Sequence, residues 1–211
     1  MEFDFSKLTG PQRYKLLSST VVPRPIALVS TRGTNGVDNA APYSFFNVFA
    51  ENPPTVVLGL QLRPDGVVKD TTRNIRDTGE FVVNLVDRPI AEAMNVCAID
   101  FEEEVSEFDL TGLTRLPCRS IAAMRIAEAP VAFECKRVVT LSLGRDRDLV
   151  VGEVQHMHVR DGLIDPDTLR IDLSKYQIVG RMFGDLYTPV ESTFALERMS
   201  PEEWRRRNPG R

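Results

Sequence analysis

No apolar run in this chain of 211 residues approaches the roughly 20 residues that a membrane-crossing helix needs. Histidine is nearly missing: His156 and His158 are the only two. Three cysteines, Cys97, Cys118 and Cys135, are odd in number, widely spaced and without a C-x-x-C pair. That excludes a disulfide framework and a tetrahedral zinc site, and leaves buried or half-buried thiols. His156 and His158 share a strand face but have no third ligand at convincing spacing, so no metal site is assigned and a solvent-facing pair is the simpler reading. The P-loop and the G-x-G-x-x-G fingerprint are absent, as is the G-x-S-x-G elbow of a serine hydrolase. With a formal net charge of -4 there is no surplus of cations for general nucleic-acid binding. Met1 to Lys7 alternates acidic and aromatic residues and lacks the pattern of a signal peptide, so a cytoplasmic protein is expected.

What is present reads as an ordinary globular composition, 42% apolar and 27% charged, and one domain with short extensions. We divide it into an N-terminal extension (1–19), a central domain (20–190) and a C-terminal tail (191–211). Strands are predicted at Val22 to Thr31, with Ile26 to Ser30 as its apolar run, and at Thr55 to Leu62 and Glu80 to Val86, with Asn35-Gly36 as a turn after the first. Further strands are predicted at Val131 to Leu143, Leu149 to Val159 and Tyr176 to Arg181. Asp70 to Asp77 suits a short helix capped by Asp70 or Thr71, and the spacing of Ile90, Met94 and Cys97 suits another. The acidic stretch from Asp100 to Pro117 reads as a solvated excursion, although such a segment can also cover a cofactor. Pro201 to Trp204 suggests a terminal helix, followed by a solvated basic end at Arg205-Arg206-Arg207. Many short strands with brief helices favour a closed or nearly closed antiparallel barrel over a doubly wound sheet.

Two constellations could meet a ligand. Lys69-Asp70-Thr71, at a helix N-terminus, offers a cation, a hydroxyl and backbone N–H groups to an anion; Asp70 would cap the helix while Lys69 and Thr71 face the ligand. Ser44-Phe45-Phe46-Asn47 could line a flat aromatic ring with a hydroxyl, two aromatic bodies and a carboxamide, or the two phenylalanines could be core residues on opposite faces of one strand. Arg24, held between Pro23 and Pro25, could pair with a phosphate or a carboxylate, and Ser30 and Thr31 end a strand as hydroxyl donors.

In their order and spacing, Pro23-Arg24-Pro25, Ser30-Thr31, Ala41-Pro42-Tyr43-Ser44-Phe45-Phe46-Asn47, Asn52-Pro53-Pro54, Lys69 to Asn74 and Phe81 to Leu85 resemble the flavin reductase-like family. Weaker echoes lie at Val151 to Val154 and Val179 to Met182. The resemblance implies a mainly β fold: a six-stranded antiparallel Greek-key split barrel that binds FMN and forms a homodimer. It implies hydride transfer from NADH or NADPH to FMN, with reduced flavin passed to a partner monooxygenase. The implied cofactor-binding residues are Arg24, Ser30, Thr31, Ser44, Phe45, Phe46, Asn47, Lys69, Asp70, Thr71, Asn74 and Arg181, with Arg181 or Tyr187 closing the site. No residue is assigned as catalytic, because in such chemistry the protein binds, orients and tunes. Phe49-Ala50-Glu51 replaces a hydroxyl often found there, and Arg181 to Asp185 lacks the Gly-Gly-His of many members. A flavin-binding electron-transfer or storage protein is therefore the alternative.

Overall fold

The computed structural model describes residues 1–61, 68–144 and 147–209. Its strands are β1 (Ala27–Arg32), β2 (Asp38–Tyr43), β3 (Phe46–Glu51), β4 (Pro54–Gln61), β5 (Glu80–Leu85), β6 (Arg115–Leu116), β7 (Arg125–Ile126), β8 (Val131–Leu143), β9 (Arg147–Val159), β10 (Val179–Arg181) and β11 (Tyr187–Pro189). Helices are α1 (Gly10–Thr20), α2 (Asp70–Thr78), α3 (Ala91–Val96), α4 (Glu107–Thr111) and α5 (Pro201–Arg207). The strand predicted from Thr55 runs to Gln61, and its last residue, Leu62, lies outside the described residues, as do the last two of the tail.

Seven strands form the main antiparallel sheet, in the order β2-β1-β5-β8-β9-β4-β3. The first and last of that order are neighbours in sequence, joined only by Ser44 and Phe45. A link of this length forces the two sheet edges together. Gly59 N–H donates to the Phe45 carbonyl at 2.7 Å at this seam. The fold is thus the mainly β antiparallel barrel expected, with seven strands in the sheet where six were expected. Between β2 and β3 the chain turns at Ser44-Phe45 from one edge of the sheet to the other. Pro42 is tolerated because β2 is an edge.

Alternation on β1 sorts the core. Ala27 and Val29 face the barrel interior with Phe46, Leu58, Phe81, Val83 and Val150. Ile26 and Leu28 face outward, into a second cluster with Ile90, Met94, Cys97, Phe108 and Val179. Phe81 fills the barrel because Gly152 stands opposite; a Cβ there would lie 2.3 Å from the Phe81 Cζ.

Two expectations are corrected. The segment after Asp100 is no solvated excursion, since its Glu107, Phe108 and Leu113 are buried and α4 packs over β2. Before the barrel, Thr9 and Gln12 form a capping box that starts α1. Tyr176 and Gln177 precede the short β10 without joining it. Cys97 and Cys135 are buried and Cys118 half-buried, all as free thiols.

Candidate functional site

The cleft forms where the barrel edges meet. Tyr43 ends β2, Ser44 and Phe45 make the link, Gly59 and Gln61 come from β4, Arg147 opens β9, and Lys69 precedes α2. Tyr14 of α1 completes it, its ring stacked on Phe45 with centroids 6.2 Å apart. The Arg147 guanidinium also lies over the Phe45 ring, 4.6 Å from its centroid. The cleft has a cavity volume of about 150 Å³. Among the described residues its wall holds two cations, three aromatic rings and no carboxylate.

Lys69, Pro42 and Tyr43 also border a second cleft, on the side of α3 and α4. There the company is different: Asp70, Asp100 and Glu107 line it with Asn39, Thr71 and Cys97. Lys69 Nζ reaches Asp100 Oδ1 at 3.0 Å. Glu107 accepts the Ala40 N–H at 2.9 Å, and its burial raises its pKa from the ordinary carboxylate value.

Tyr43 links the two spaces. Its hydroxyl oxygen is buried and makes no hydrogen bond with any described residue. Burial pushes its pKa up to about 12; the neighbouring Thr71 hydroxyl opposes this, and Glu107, Asp100 and Asp70 each add a smaller upward push. It therefore stays protonated, a donor without an acceptor among the described residues. Such a group costs roughly 1–3 kcal/mol unless a ligand completes it.

Several predicted residues meet at this place. Ser44, Phe45 and Lys69 line the first cleft, and Asp70 and Thr71 the second. Lys69, not Asp70, is the N-cap of α2, and no side chain caps that end. Asp70 instead pairs with Arg73 at 2.5 Å, leaving first-turn N–H groups of α2 open to an anion. Thr71 accepts from Asn39 Nδ2 at 2.8 Å, and Asn74 Nδ2 donates to Thr31 Oγ1 at 3.0 Å. Thr31 and Asn74 are buried and brace α2 against β1.

Others lie elsewhere. Ser30 is on the opposite face of β1, fully buried, donating to the Met124 carbonyl at 2.6 Å and accepting from Asn84 Nδ2 at 3.0 Å. Arg24 is spent on the protein: it donates to the carbonyls of Ser18, of Val21 at 3.1 Å and of Met182 at 2.6 Å, and to Ser44 Oγ at 3.2 Å. Phe46 belongs to the barrel core and exposed Asn47 accepts the N–H of Val48, yet both line a third cleft, against α1, together with Arg24, Ser44 and Phe45. Arg181 bonds the Gly184 carbonyl and sits 4.5 Å from the Tyr187 ring, while Tyr187 borders a separate cleft with Asn95 and Glu92. The sequence reading missed Tyr14, Tyr43, Gly59, Gln61 and Arg147. Only Tyr14 carried a usable signal, the Thr9-Gly10-Pro11-Gln12 helix start.

Residues 18–179 match the model of the flavin reductase like domain. The chain belongs to the flavin reductase-like family. It is 40% identical over 208 residues to an uncharacterized protein of Deinococcus radiodurans, covering 96% of this chain and 91% of that one. Among solved structures it is similar to 2-nitrobenzoate 2-nitroreductase NbaA of Pseudomonas fluorescens, at 38% identity and a TM-score of 0.87, covering 95% of this chain and 97% of that one. It is also similar to nitrilotriacetate monooxygenase component B from Bacillus cereus, at 32% identity and a TM-score of 0.88, covering 93% and 98%. No cluster of three or more potential metal ligands occurs among the described residues, and none of their helices is long and apolar enough to cross a membrane.

Proposed function

We propose that this chain binds FMN in the cleft at the barrel seam and reduces it with NADH or NADPH, as a homodimer that supplies reduced flavin to a partner monooxygenase. The observation that carries the reading is the composition of the cleft: Lys69 and Arg147 beside Tyr14, Tyr43 and Phe45, with no carboxylate among the described residues of the wall. A phosphorylated aromatic ligand needs that combination. Lys69 and the open N–H groups of α2 suit the phosphate, Phe45 and Tyr14 suit a flat ring, and Tyr43 has a hydrogen to give.

Bound flavin would supply the hydride chemistry at its N5, which is why no acid–base pair is required of the protein. The residues' task is to hold and orient it. Similarity to a nitroreductase and to a monooxygenase component supports a redox role of this class. The dimer reading is supported by the exposed apolar residues Val138, Leu141 and Leu143 on β8 and Val48 and Phe49 on β3.

The visible spectrum of the purified protein, taken before and after anaerobic NADH, tests the proposal. Flavin bands that bleach promptly are the expected result. Bands that persist until dithionite is added would assign an electron carrier or flavin store, the reading favoured by the missing Gly-Gly-His. A colourless protein that does not take up added FMN would remove the flavin from the site.

A further inference from the structure

Both histidines of the chain line one pocket, and it is not the flavin cleft. This pocket lies between β7 and the C-terminal end of β9, lined by Arg119, Arg125, His156, Met157, His158 and Val159. In the sheet, β1 and β5 stand between it and β2. Neither the family match nor the cleft at the seam gives it a role.

Its charges are unbalanced. The Arg125 side chain makes no hydrogen bond or ion pair with any described residue, and its Nε is buried without a partner among them. Arg119 offers its backbone N–H to Glu134 at 2.7 Å, but its guanidinium has no partner among the described residues either. The His156 residue is exposed, and its imidazole makes no hydrogen bond or ion pair with any of them. The carboxylate nearest to hand, Glu134, cannot serve these cations. It is fully buried, and its two oxygens are taken by His158 Nε2 at 2.5 Å, by the N–H groups of Arg119 and Ser120, and by the Ser120 hydroxyl at 2.7 Å. Glu134 thereby fixes the His158 ring and the Arg119–Ser120 backbone in place, and leaves two guanidinium groups facing open space.

A buried guanidinium nitrogen without an acceptor is costly in a folded protein. The class of ligand that relieves it follows from its chemistry: a planar fork of N–H donors beside an imidazole suits the oxygens of a tetrahedral phosphate. Met157 and Val159 add an apolar side against which an organic body could rest. We infer that Arg119, Arg125 and His156 form a phosphate-binding site between β7 and the end of β9, for free phosphate or a small phosphate ester, separate from the cleft at the seam.

The histidines make the test direct. In full-length protein with isotope-labelled histidine, every imidazole signal reports on this pocket. Inorganic phosphate is titrated first, then phenyl phosphate. Saturable shifts of the His156 and His158 signals are expected. Arg125→Gln should weaken the midpoint by about 10-fold or more, the scale of one charge-assisted hydrogen bond. Arg119→Ala, at an exposed side chain with no described partner, provides a second variant and should weaken it too. Lys69→Ala should leave it unchanged, which separates this site from the seam cleft. Tighter binding of phenyl phosphate assigns an ester, and equal binding assigns the free ion. Shifts that rise without saturation, or midpoints unmoved in both arginine variants, would overturn the site.

Discussion

Lys69 and Tyr43 stand on the wall between two clefts of opposite character, one free of carboxylates among its described residues and one lined by three. A single-residue prediction follows for each. Lys69→Ala removes a half-exposed cation whose only ion pair among the described residues is with Asp100, so FMN affinity should fall with little change in melting temperature. Tyr43→Phe removes a buried hydroxyl that has no described acceptor, so stability should hold or rise while FMN affinity falls. Titration of FMN against flavin fluorescence, with thermal melts of the same samples, checks both; unchanged affinity in either variant takes that residue out of the site. Glu134 gives a pH prediction. Burial alone would raise its pKa, but His158, the N–H groups of Arg119 and Ser120 and the Ser120 hydroxyl outweigh this and bring it from 4.5 down to about 2. A depressed folded pKa means stability that is present above pH 4.5 and lost as the pH falls toward 2. Glu107, raised by burial, works in the opposite sense, so the cleanest reading is the difference between wild type and Glu134→Gln. Urea unfolding across that window should show the steeper acid loss in wild type, and parallel curves would contradict the assignment. Lys69 was legible in the sequence because a lysine before a short polar helix has a recognisable chemistry. Strand alternation says that Ser30 and Thr31 face opposite ways, but not which of them faces α2, where the structure puts Thr31.

Among the elements, α1 is the one that the sequence reading passed over and the site depends on. Thr9 Oγ1 accepts the Gln12 N–H at 3.4 Å, and Gln12 Oε1 accepts the Thr9 N–H at 2.8 Å. Arg24 then ties the other end by bonding the Ser18 and Val21 carbonyls. Between these ties sits Tyr14, against Phe45. Thr9→Ala should cost about 1 kcal/mol of stability, as removal of an N-cap does, and should weaken FMN binding although Thr9 stands outside the cleft. Chemical denaturation and the same fluorescence titration measure the two effects; a drop in stability with affinity intact would show that α1 does not shape the cleft. The strands were easier to read than this helix. β5, β8 and β9 carry apolar runs that only a sheet with a buried face explains, whereas α1 exposes most of its surface and so has a weak pattern. α4 was hidden for a related reason: five residues are too few to show a period, and its acidic neighbours disguised the buried Phe108.

Across the whole molecule, the barrel interior is filled by matching large and small residues on facing strands. Phe81 occupies the space that Gly152 vacates, so Gly152→Ala drives a methyl group into the ring and should cost roughly 1–3 kcal/mol. A lowered urea midpoint with the slope unchanged is the expected readout, and an unaltered midpoint would show that the ring can step aside. The barrel class was legible from strand count and turn signals, but the place where it closes was not. Nothing in Ala41 to Asn47 announces that one continuous segment serves both edges of the sheet, because closure is a long-range pairing and the residues at the bend look like those of any strand. That bend has a consequence for how the protein can change over time. Ser44 and Phe45 have no slack: adding one residue between them would turn each later side chain of β3 to the wrong face, and removing one would pull the edges apart. Length variation among descendants of this chain should therefore be barred from a two-residue seam, even though it lies on the surface where insertions are ordinarily tolerated.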